Sequence, residues 1–150
     1  MIADLQDGWE RQWPGGYTEN FVVAEPQLGV SEKEIVKHCI DPFVVKEGNA
    51  VEIGCGTGDA WSEKYLCQRF RYVTGVDVIR RDWVITDKSP KNFGYIQVAP
   101  NDYSLSMIED ETVDFVWSFG CLGHLPRVAV RQYIEAAFRV LKPDGDACFE

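Results

Sequence analysis

A glycine-rich segment directly after a short apolar run is the feature that most restricts what this chain can fold into. Residues 50–53 are too few for a helix and stop at Gly54, Gly56 and Gly58, so they predict a buried β-strand. Glycines let the backbone turn sharply and lie close to a ligand, where a Cβ atom would collide. The segment therefore predicts a strand, a tight loop and a following helix.

Strands and helices alternate along the rest of the chain. Further apolar runs predict strands at residues 72–77, 95–98, 113–118 and 147–149. A capping box at residues 31–34 starts a helix that ends before Pro42, and helices are expected at residues 59–70 and 126–141. Residues 142–145 should stop the last helix, whose expected apolar face is Val130, Ile134, Ala137, Val140 and Leu141.

This alternation implies right-handed crossovers and a mostly parallel sheet. We therefore expect a three-layer α/β/α fold of the Rossmann-like type. Residues 1–48 are expected to form an N-terminal arm and a capping helix, and residues 49–150 the core of a single domain. Trp9, Trp13 and Tyr17 of the arm either line a substrate pocket or pack on the core.

Composition narrows the function classes. The 150 residues are 45% hydrophobic and carry a net charge of −9, which suits a globular domain and disfavours a nucleic-acid partner, since phosphates require cationic side chains. The basic residues between Arg80 and Lys91 are interspersed with acids and favour a solvated face over a phosphate site. No apolar run is long enough for a membrane span, and residues 1–7 lack the basic start and apolar stretch of a secretory signal, so we expect a cytoplasmic location.

The five cysteines are scattered and include no Cys-x-x-Cys pair. This pattern is typical of reduced thiols and predicts neither a disulfide framework nor a metal site.

Two acids accompany the glycine segment. Glu52 lies inside the predicted strand, where a carboxylate requires backbone amides or a cationic ligand group. Asp77 closes the second strand, a position from which a carboxylate can accept both hydroxyls of a ribose. Asp59 stands where a dinucleotide fingerprint has its third small residue, and its charge would repel a pyrophosphate at the helix start.

Four motifs in this order resemble class I S-adenosylmethionine-dependent methyltransferases. They are the glycine segment in the form Glu52-x-Gly54-x-Gly56-x-Gly58, the acid Asp77, the block at residues 113–118 and the tail at residues 139–145. The resemblance covers residues 49–149. It implies S-adenosylmethionine as cofactor and S-adenosylhomocysteine as product.

The resemblance also implies roles for individual residues. Gly54, Cys55, Gly56 and Gly58 are expected at the amino-acid part of the cofactor, with Glu52 ordering that region. Asp77 should hold the ribose and Val78 should pack on the adenine. Further implied contacts are Asp102 and Tyr103 near the adenine, and Ser118 and Phe119 near the sulfur. A simple turn is the alternative for Asp102, and core packing is the alternative for Phe119.

His124 is the candidate catalytic residue. It follows the fourth strand, at the mouth of the expected site, and an imidazole exchanges protons near physiological pH. The alternative is that His124 only caps or packs its loop.

The acceptor is expected to be a small molecule methylated on oxygen or nitrogen. Methyltransferases that act on the amines of bases or glutamine commonly carry an Asn/Asp-Pro-Pro-Tyr/Phe element after the fourth strand, and this chain has Ser118-Phe119-Gly120-Cys121 there. The acidic net charge supports the same choice.

The family's sheet continues beyond a fifth strand, and this sequence stops there. A bare edge strand favours pairing with another chain. Three alternatives follow: the chain is a fragment, a partner subunit covers the fifth strand (a second copy of the chain in a homo-oligomer being one candidate), or the domain is a degenerate, non-catalytic form. Two alternatives to an active methyltransferase stay open: a truncated, inactive cofactor-binding module that acts by association, and a nicotinamide-dependent oxidoreductase, which Asp59 disfavours.

Overall fold

Five parallel strands form one sheet in a computed structural model that describes residues 30–150. The strands are β1 (Asn49–Ile53), β2 (Tyr72–Asp77), β3 (Phe93–Gln97), β4 (Val113–Ser118) and β5 (Leu141–Phe149). Their spatial order is β3-β2-β1-β4-β5, and all four neighbouring pairs are parallel. The α/β class and the parallel sheet expected from the sequence are confirmed.

Helical segments connect the strands. They are α1 (Glu32–Ile35) with a π-helical turn (Val36–Ile40) and a 3-10 turn (Asp41–Phe43), a π-helical turn after β1 (Ser62–Leu66), α2 (Arg81–Val84) and α3 (Arg127–Val140). The capping box is present, since Ser31 Oγ accepts from the Glu34 backbone N–H at 3.3 Å and Glu34 Oε2 accepts from the Ser31 N–H at 3.2 Å. Pro42 stands within the 3-10 turn.

The sheet is covered on both faces, which gives three layers. Because successive side chains of a strand point to opposite faces of the sheet, Ala50 of β1 belongs to the apolar cluster on one face and Val51 to the cluster on the other. The first cluster lies under α1 and the turns that follow it, and contains Ile40, Leu66 and Phe115. The second lies under α3 and contains Val116, Ala137 and Val140. β4 is buried along its whole length.

Several element boundaries differ from the sequence prediction. β3 runs from 93 to 97 rather than 95 to 98, and the helix expected at 59–70 is reduced to turns around Ser62–Leu66. β5 begins at Leu141, directly after α3. Residues 142–145, which were expected to separate the helix from the strand, are part of the strand and lie at a shift in its register against β4. Val113 pairs with Leu141 and Phe115 with Asp146, so the extra residues of β5 are accommodated between these two pairs.

The buried face of α3 also differs in part from the expected one. Ala137 and Val140 are buried as expected, but Ile134 is 47% exposed, and Ala129 and Tyr133 are buried instead. The helix is therefore rotated relative to the expected stripe, and three alanines (Ala129, Ala136 and Ala137) and the Tyr133 ring pack against the sheet.

The aromatic residues of the arm, including Trp9, Trp13 and Tyr17, lie outside the described residues. Within residues 30–150, no helix has the length and apolar character needed to cross a membrane. The cytoplasmic location stays a prediction.

Candidate cofactor site

The strand order places a crevice at the carboxyl end of β1. From β1 the chain proceeds to β2 and β3 on one side, and β4 and β5 lie on the other. The strand order therefore reverses direction between β1 and β4. Ligands of open parallel sheets bind outside the carboxyl ends of the strands at the point where the strand order reverses. The loops that follow Ile53 and Ser118 flank this point, because β1 and β4 are neighbours.

The glycine loop is packed against the chain's own side chains. Gly54 has φ +73° and Gly58 has φ +85°, in the left-handed region that favours glycine. A Cβ atom on Gly54 would lie 2.3 Å from Cys121 Sγ, and one on Gly58 would lie 2.8 Å from the Phe93 ring. These two glycines therefore allow the loop to contact the segments after β4 and at β3.

Asp77 faces the glycine loop from the end of β2. Its Oδ2 accepts from the Gly56 backbone N–H at 2.8 Å and its Oδ1 from the Val78 N–H at 2.7 Å. Burial raises the pKa of Asp77 to about 6, although the N–H groups of Gly56, Val78 and Ile79 act to lower it. The carboxylate is thus fixed beside the loop and is mostly ionised at neutral pH.

Glu52 lies in the interior of β1 and is 2% exposed. Its Oε2 accepts from Ser62 Oγ at 2.5 Å. The carboxyl group also accepts from the Ser62 backbone N–H, a backbone amide of the kind that the sequence predicted. Burial raises the pKa of Glu52 to about 8; the hydrogen bonds from Ser62 oppose this, and the negative charges of Asp77 and Asp59 add to it. Glu52 is therefore mostly protonated at neutral pH.

Cys55 and Val78 complete the part of the site formed by β1 and β2. The Cys55 thiol is buried, which raises its pKa well above the ordinary value, so it is a poor nucleophile. Val78 is partly buried against the second apolar cluster. Both residues lie beside Asp77, and their expected contacts with the cofactor stay predictions.

Asp102 and Tyr103 follow β3. Asp102 Oδ1 accepts from the Ser104 N–H at 3.0 Å and from Ser104 Oγ at 2.6 Å, and these bonds lower the pKa of Asp102. This is the local turn that stood as the alternative to an adenine contact. The Tyr103 hydroxyl donates to Pro100 O at 3.0 Å, and its ring packs edge-on against Tyr133 at 5.2 Å.

Ser118 and Phe119 contribute to the protein's own packing at the end of β4. Ser118 Oγ is fully buried and donates to Ile53 O at 2.9 Å, which joins the ends of β4 and β1. Phe119 is 8% exposed and packs against Trp61 and Trp117, with ring centroids 4.9 and 5.9 Å away. Core packing, the alternative named for Phe119, is thus observed.

His124 is exposed at the end of a 3-10 turn (Leu122–His124). The turn begins next to Cys121, whose side chain contacts the glycine loop at Gly54. His124 is therefore on the segment that borders the crevice.

The basic stretch after β2 is largely engaged with the chain itself. Arg80 pairs with Asp82 at 2.7 Å, and Arg81 donates to the Tyr95 carbonyl at 2.5 Å. These contacts agree with a solvated face.

Three residues of this region were not predicted from the sequence: Trp61, Ser62 and Cys121. Ser62 lies ten positions after Glu52, and this spacing does not predict a contact. The Ser62 hydroxyl reaches Glu52 only because of the turn that follows the glycine loop. Trp61 and Cys121 fit ordinary core patterns, so only the packing reveals them.

The residues present fit an adenosine-bearing cofactor. The Asp77 carboxylate accepts the backbone N–H groups of Gly56 and Val78 and a further one from Ile79. Because a carboxylate has about four acceptor sites, capacity remains for a ribose hydroxyl. Asp59 is partly buried beside the loop and disfavours a pyrophosphate there. Fold and site together define a Rossmann-like, nucleoside-binding α/β domain.

The chain belongs to the methyltransferase-domain family, whose model matches residues 50–145. The predicted class I methyltransferase family is thereby confirmed, and methyltransferase domains of this kind bind S-adenosylmethionine. No curated protein matches the chain.

Solved structures share the fold. DhpI in complex with SAH (S-adenosylhomocysteine) has a TM-score of 0.74 and 18% identity, covering 99% of this chain and 67% of that one. The PH0226 protein of Pyrococcus horikoshii has a TM-score of 0.64 and 22% identity, covering 95% and 64%. The MMP1179 protein of Methanococcus maripaludis has a TM-score of 0.63 and 20% identity, covering 77% and 52%. The chain thus spans about half to two thirds of the length of these structures.

Proposed function

We propose that this chain binds S-adenosylmethionine at the carboxyl ends of β1, β2 and β4 and transfers its methyl group to a small-molecule oxygen or nitrogen acceptor. The observation that carries the proposal is the placement of Asp77, whose carboxylate is held against the glycine loop by the Gly56 N–H. That contact fixes an acceptor of hydroxyl groups beside a sharply turned backbone.

The residues around the loop would hold the cofactor by complementary groups. Asp77 would accept from the ribose hydroxyls, and Val78 would pack against the adenine. Glu52, neutral in the free protein, would ionise next to the ammonium of the methionine part, because an opposite charge favours the charged form. Cofactor binding would then release a proton at neutral pH.

When bound, the cofactor supplies an electrophilic methyl group on a positive sulfur. What remains for the chain is to orient the acceptor and to exclude water, and orientation of this kind contributes up to roughly 7–11 kcal/mol in favourable cases. We assign His124 the removal of a proton from the acceptor, since it lies on the loop that borders the crevice and an imidazole accepts protons near neutral pH.

The small-molecule acceptor is supported by charge and by the loop after β4. The net charge of −9 disfavours a polyanionic substrate. The segment at Ser118 and Phe119 is occupied by a buried hydroxyl and a packed ring, and it lacks the Asn/Asp-Pro-Pro-Tyr/Phe element that receives planar amines.

Two measurements test the proposal. Calorimetric titration with S-adenosylhomocysteine should show binding and titration with NAD should show none; the reverse would favour an oxidoreductase. Methyl transfer from S-adenosylmethionine to components of a small-molecule extract should then yield S-adenosylhomocysteine. Binding without turnover on any extract would favour an inactive module.

His124→Gln should leave S-adenosylhomocysteine affinity unchanged within about twofold and lower turnover by about a hundredfold or more, as is typical for the loss of a general base. Arg127→Gln, on the same side of the sheet at the start of α3, is the matched control and should retain turnover. Full activity of His124→Gln would remove the proposed role.

A further inference from the structure

Two of the five cysteines, far apart in the sequence, lie side by side in the fold. Cys39 belongs to the π-helical turn before β1 (Val36–Ile40), and Cys148 belongs to β5. Their thiols are hydrogen-bonded to each other. The scattered spacing of the cysteines does not predict this pair, because the turn and β5 are brought together only by the packing of the sheet.

The position of Cys148 in the sheet explains why the two side chains meet. Cys148 pairs with Trp117 of β4, and residues paired across neighbouring strands point to the same face of a sheet. Trp117 belongs to the first apolar cluster, which also contains Val36 and Ile40 of the turn. Both cysteines pack against this cluster, so the contact of the turn with the sheet holds the two sulfurs next to each other.

The pair is accessible to small molecules in solution. Both thiols are partly exposed, whereas Cys55 is buried and Cys121 packs against Gly54 in the glycine loop. Cys67 is also partly exposed, but its charged neighbours are acids rather than thiols. Cys39 and Cys148 are therefore the two cysteines placed to react with each other.

We propose that Cys39 and Cys148 form a reversible disulfide bond that joins the turn before β1 to the edge strand β5, with a low-molecular-weight disulfide such as oxidised glutathione as the oxidant. The thiolate of one cysteine attacks a sulfur of the oxidant, which releases one small thiol and leaves a mixed disulfide on the protein. The other cysteine then displaces the second small thiol and closes the bond. The protein loses two hydrogens, and the oxidant gains them as two thiols.

The bond should stabilise the fold. It closes a loop of about 110 residues and thereby restricts the unfolded chain. Oxidation should raise Tm by about 5–15 °C, and dithiothreitol should reverse this rise. Because the bond forms without a cofactor, it is independent of the proposed function.

Peptide mass spectrometry after oxidation tests the bond. Burial raises the pKa of Cys148 to about 11, so the protein is incubated with oxidised glutathione at about pH 9, where more of this thiol is ionised than at neutral pH. The remaining thiols are alkylated, and trypsin then places the two cysteines on separate peptides, residues 38–46 and 140–150. We expect these two peptides to be joined, and to separate after treatment with dithiothreitol.

Cys148→Ser should abolish both the joined peptide and the rise in Tm. Cys67→Ser is the matched control, because it replaces another partly exposed cysteine and should retain both results. Cys39→Ser provides a second test of the pair if the Cys148→Ser variant does not fold.

Glutathione that remains on Cys39 or Cys148 without any joined peptide would overturn the assignment. A bond between another pair of cysteines, or a disulfide-linked dimer on a non-reducing gel, would overturn it as well, since the proposed bond lies within one chain. None of these measurements involves S-adenosylmethionine, so their failure leaves the proposed function untouched.

Discussion

At the residue scale, two carboxyl groups with opposite surroundings determine the chemistry of the site. Asp77 accepts the backbone N–H groups of Gly56 and Val78 at 2.8 and 2.7 Å and a further one from Ile79, and it stays mostly ionised at neutral pH. Glu52 is enclosed by apolar strand neighbours, has Ser62 as its side-chain partner and is mostly protonated. The chain thus holds one fixed charge at the ribose position and one group that can ionise in response to a ligand.

Asp77→Asn should weaken S-adenosylhomocysteine binding by about ten- to a hundredfold, because a charged acceptor of hydroxyl groups is lost. The exposed acid Asp82 provides a control: Asp82→Asn has the same charge change and should bind normally. Calorimetric titration measures both. Equal affinities of the two variants would show that Asp77 does not hold the ribose.

The pKa of Glu52 predicts a pH dependence of stability. Because folding raises this pKa from 4.5 to about 8, the group's contribution is fully present below pH 4.5 and is lost as pH rises through 8. The loss should be on the order of 3–5 kcal/mol in the free energy of unfolding.

Urea unfolding at several pH values measures this loss, and Glu52→Gln should remove it. Glu109→Gln, which neutralises an exposed carboxyl, should keep the wild-type dependence. A Glu52→Gln variant whose stability falls with pH as steeply as that of the wild type would contradict the proposed protonation state.

At the scale of elements, the glycine loop is held by segments from both sides of the reversal in strand order. Cys121, after β4, occupies the space beside Gly54, and Phe93 of β3 occupies the space beside Gly58. The loop's shape therefore depends on contacts far away in sequence as well as on its glycines.

Gly54→Ala should destabilise the protein by about 2–4 kcal/mol, since its Cβ atom would overlap Cys121 and alanine disfavours a positive φ. Gly123→Ala is the control, because nothing lies within 4 Å of the Cβ position there. Thermal and urea unfolding measure both. A Gly54→Ala variant as stable as Gly123→Ala would mean that the loop is not packed as described.

The elements also show what the sequence could and could not predict. Strands with continuous apolar runs, such as Val113–Ser118, were located correctly because burial on both faces leaves a local pattern. The predicted apolar face of α3 was wrong at Ile134, and the predicted start of β5 was wrong. Both depend on tertiary packing, which sets the rotation of a helix and the register of a strand. Asp77 was placed by its distance from the glycines, whereas Trp61 has no local pattern that distinguishes it from a core residue.

At the scale of the whole molecule, the sheet brings together residues from four separate parts of the chain. The loop after β1, the ends of β2 and β4 and the turn at His124 meet at one edge because all five strands are parallel and the order reverses at β1. β5 is an outer strand of the sheet, and among residues 30–150 it pairs only with β4. Self-association through β5 stays a prediction, which sedimentation analysis can test.

The crystal structure of the protein grown with saturating S-adenosylhomocysteine tests the central claim most directly. We expect the nucleoside between the glycine loop and Asp77, with the ribose hydroxyls within hydrogen-bond distance of that carboxylate. Ligand density at another edge of the sheet, or a crevice that stays closed by the chain's own side chains at saturation, would contradict the proposed cofactor site.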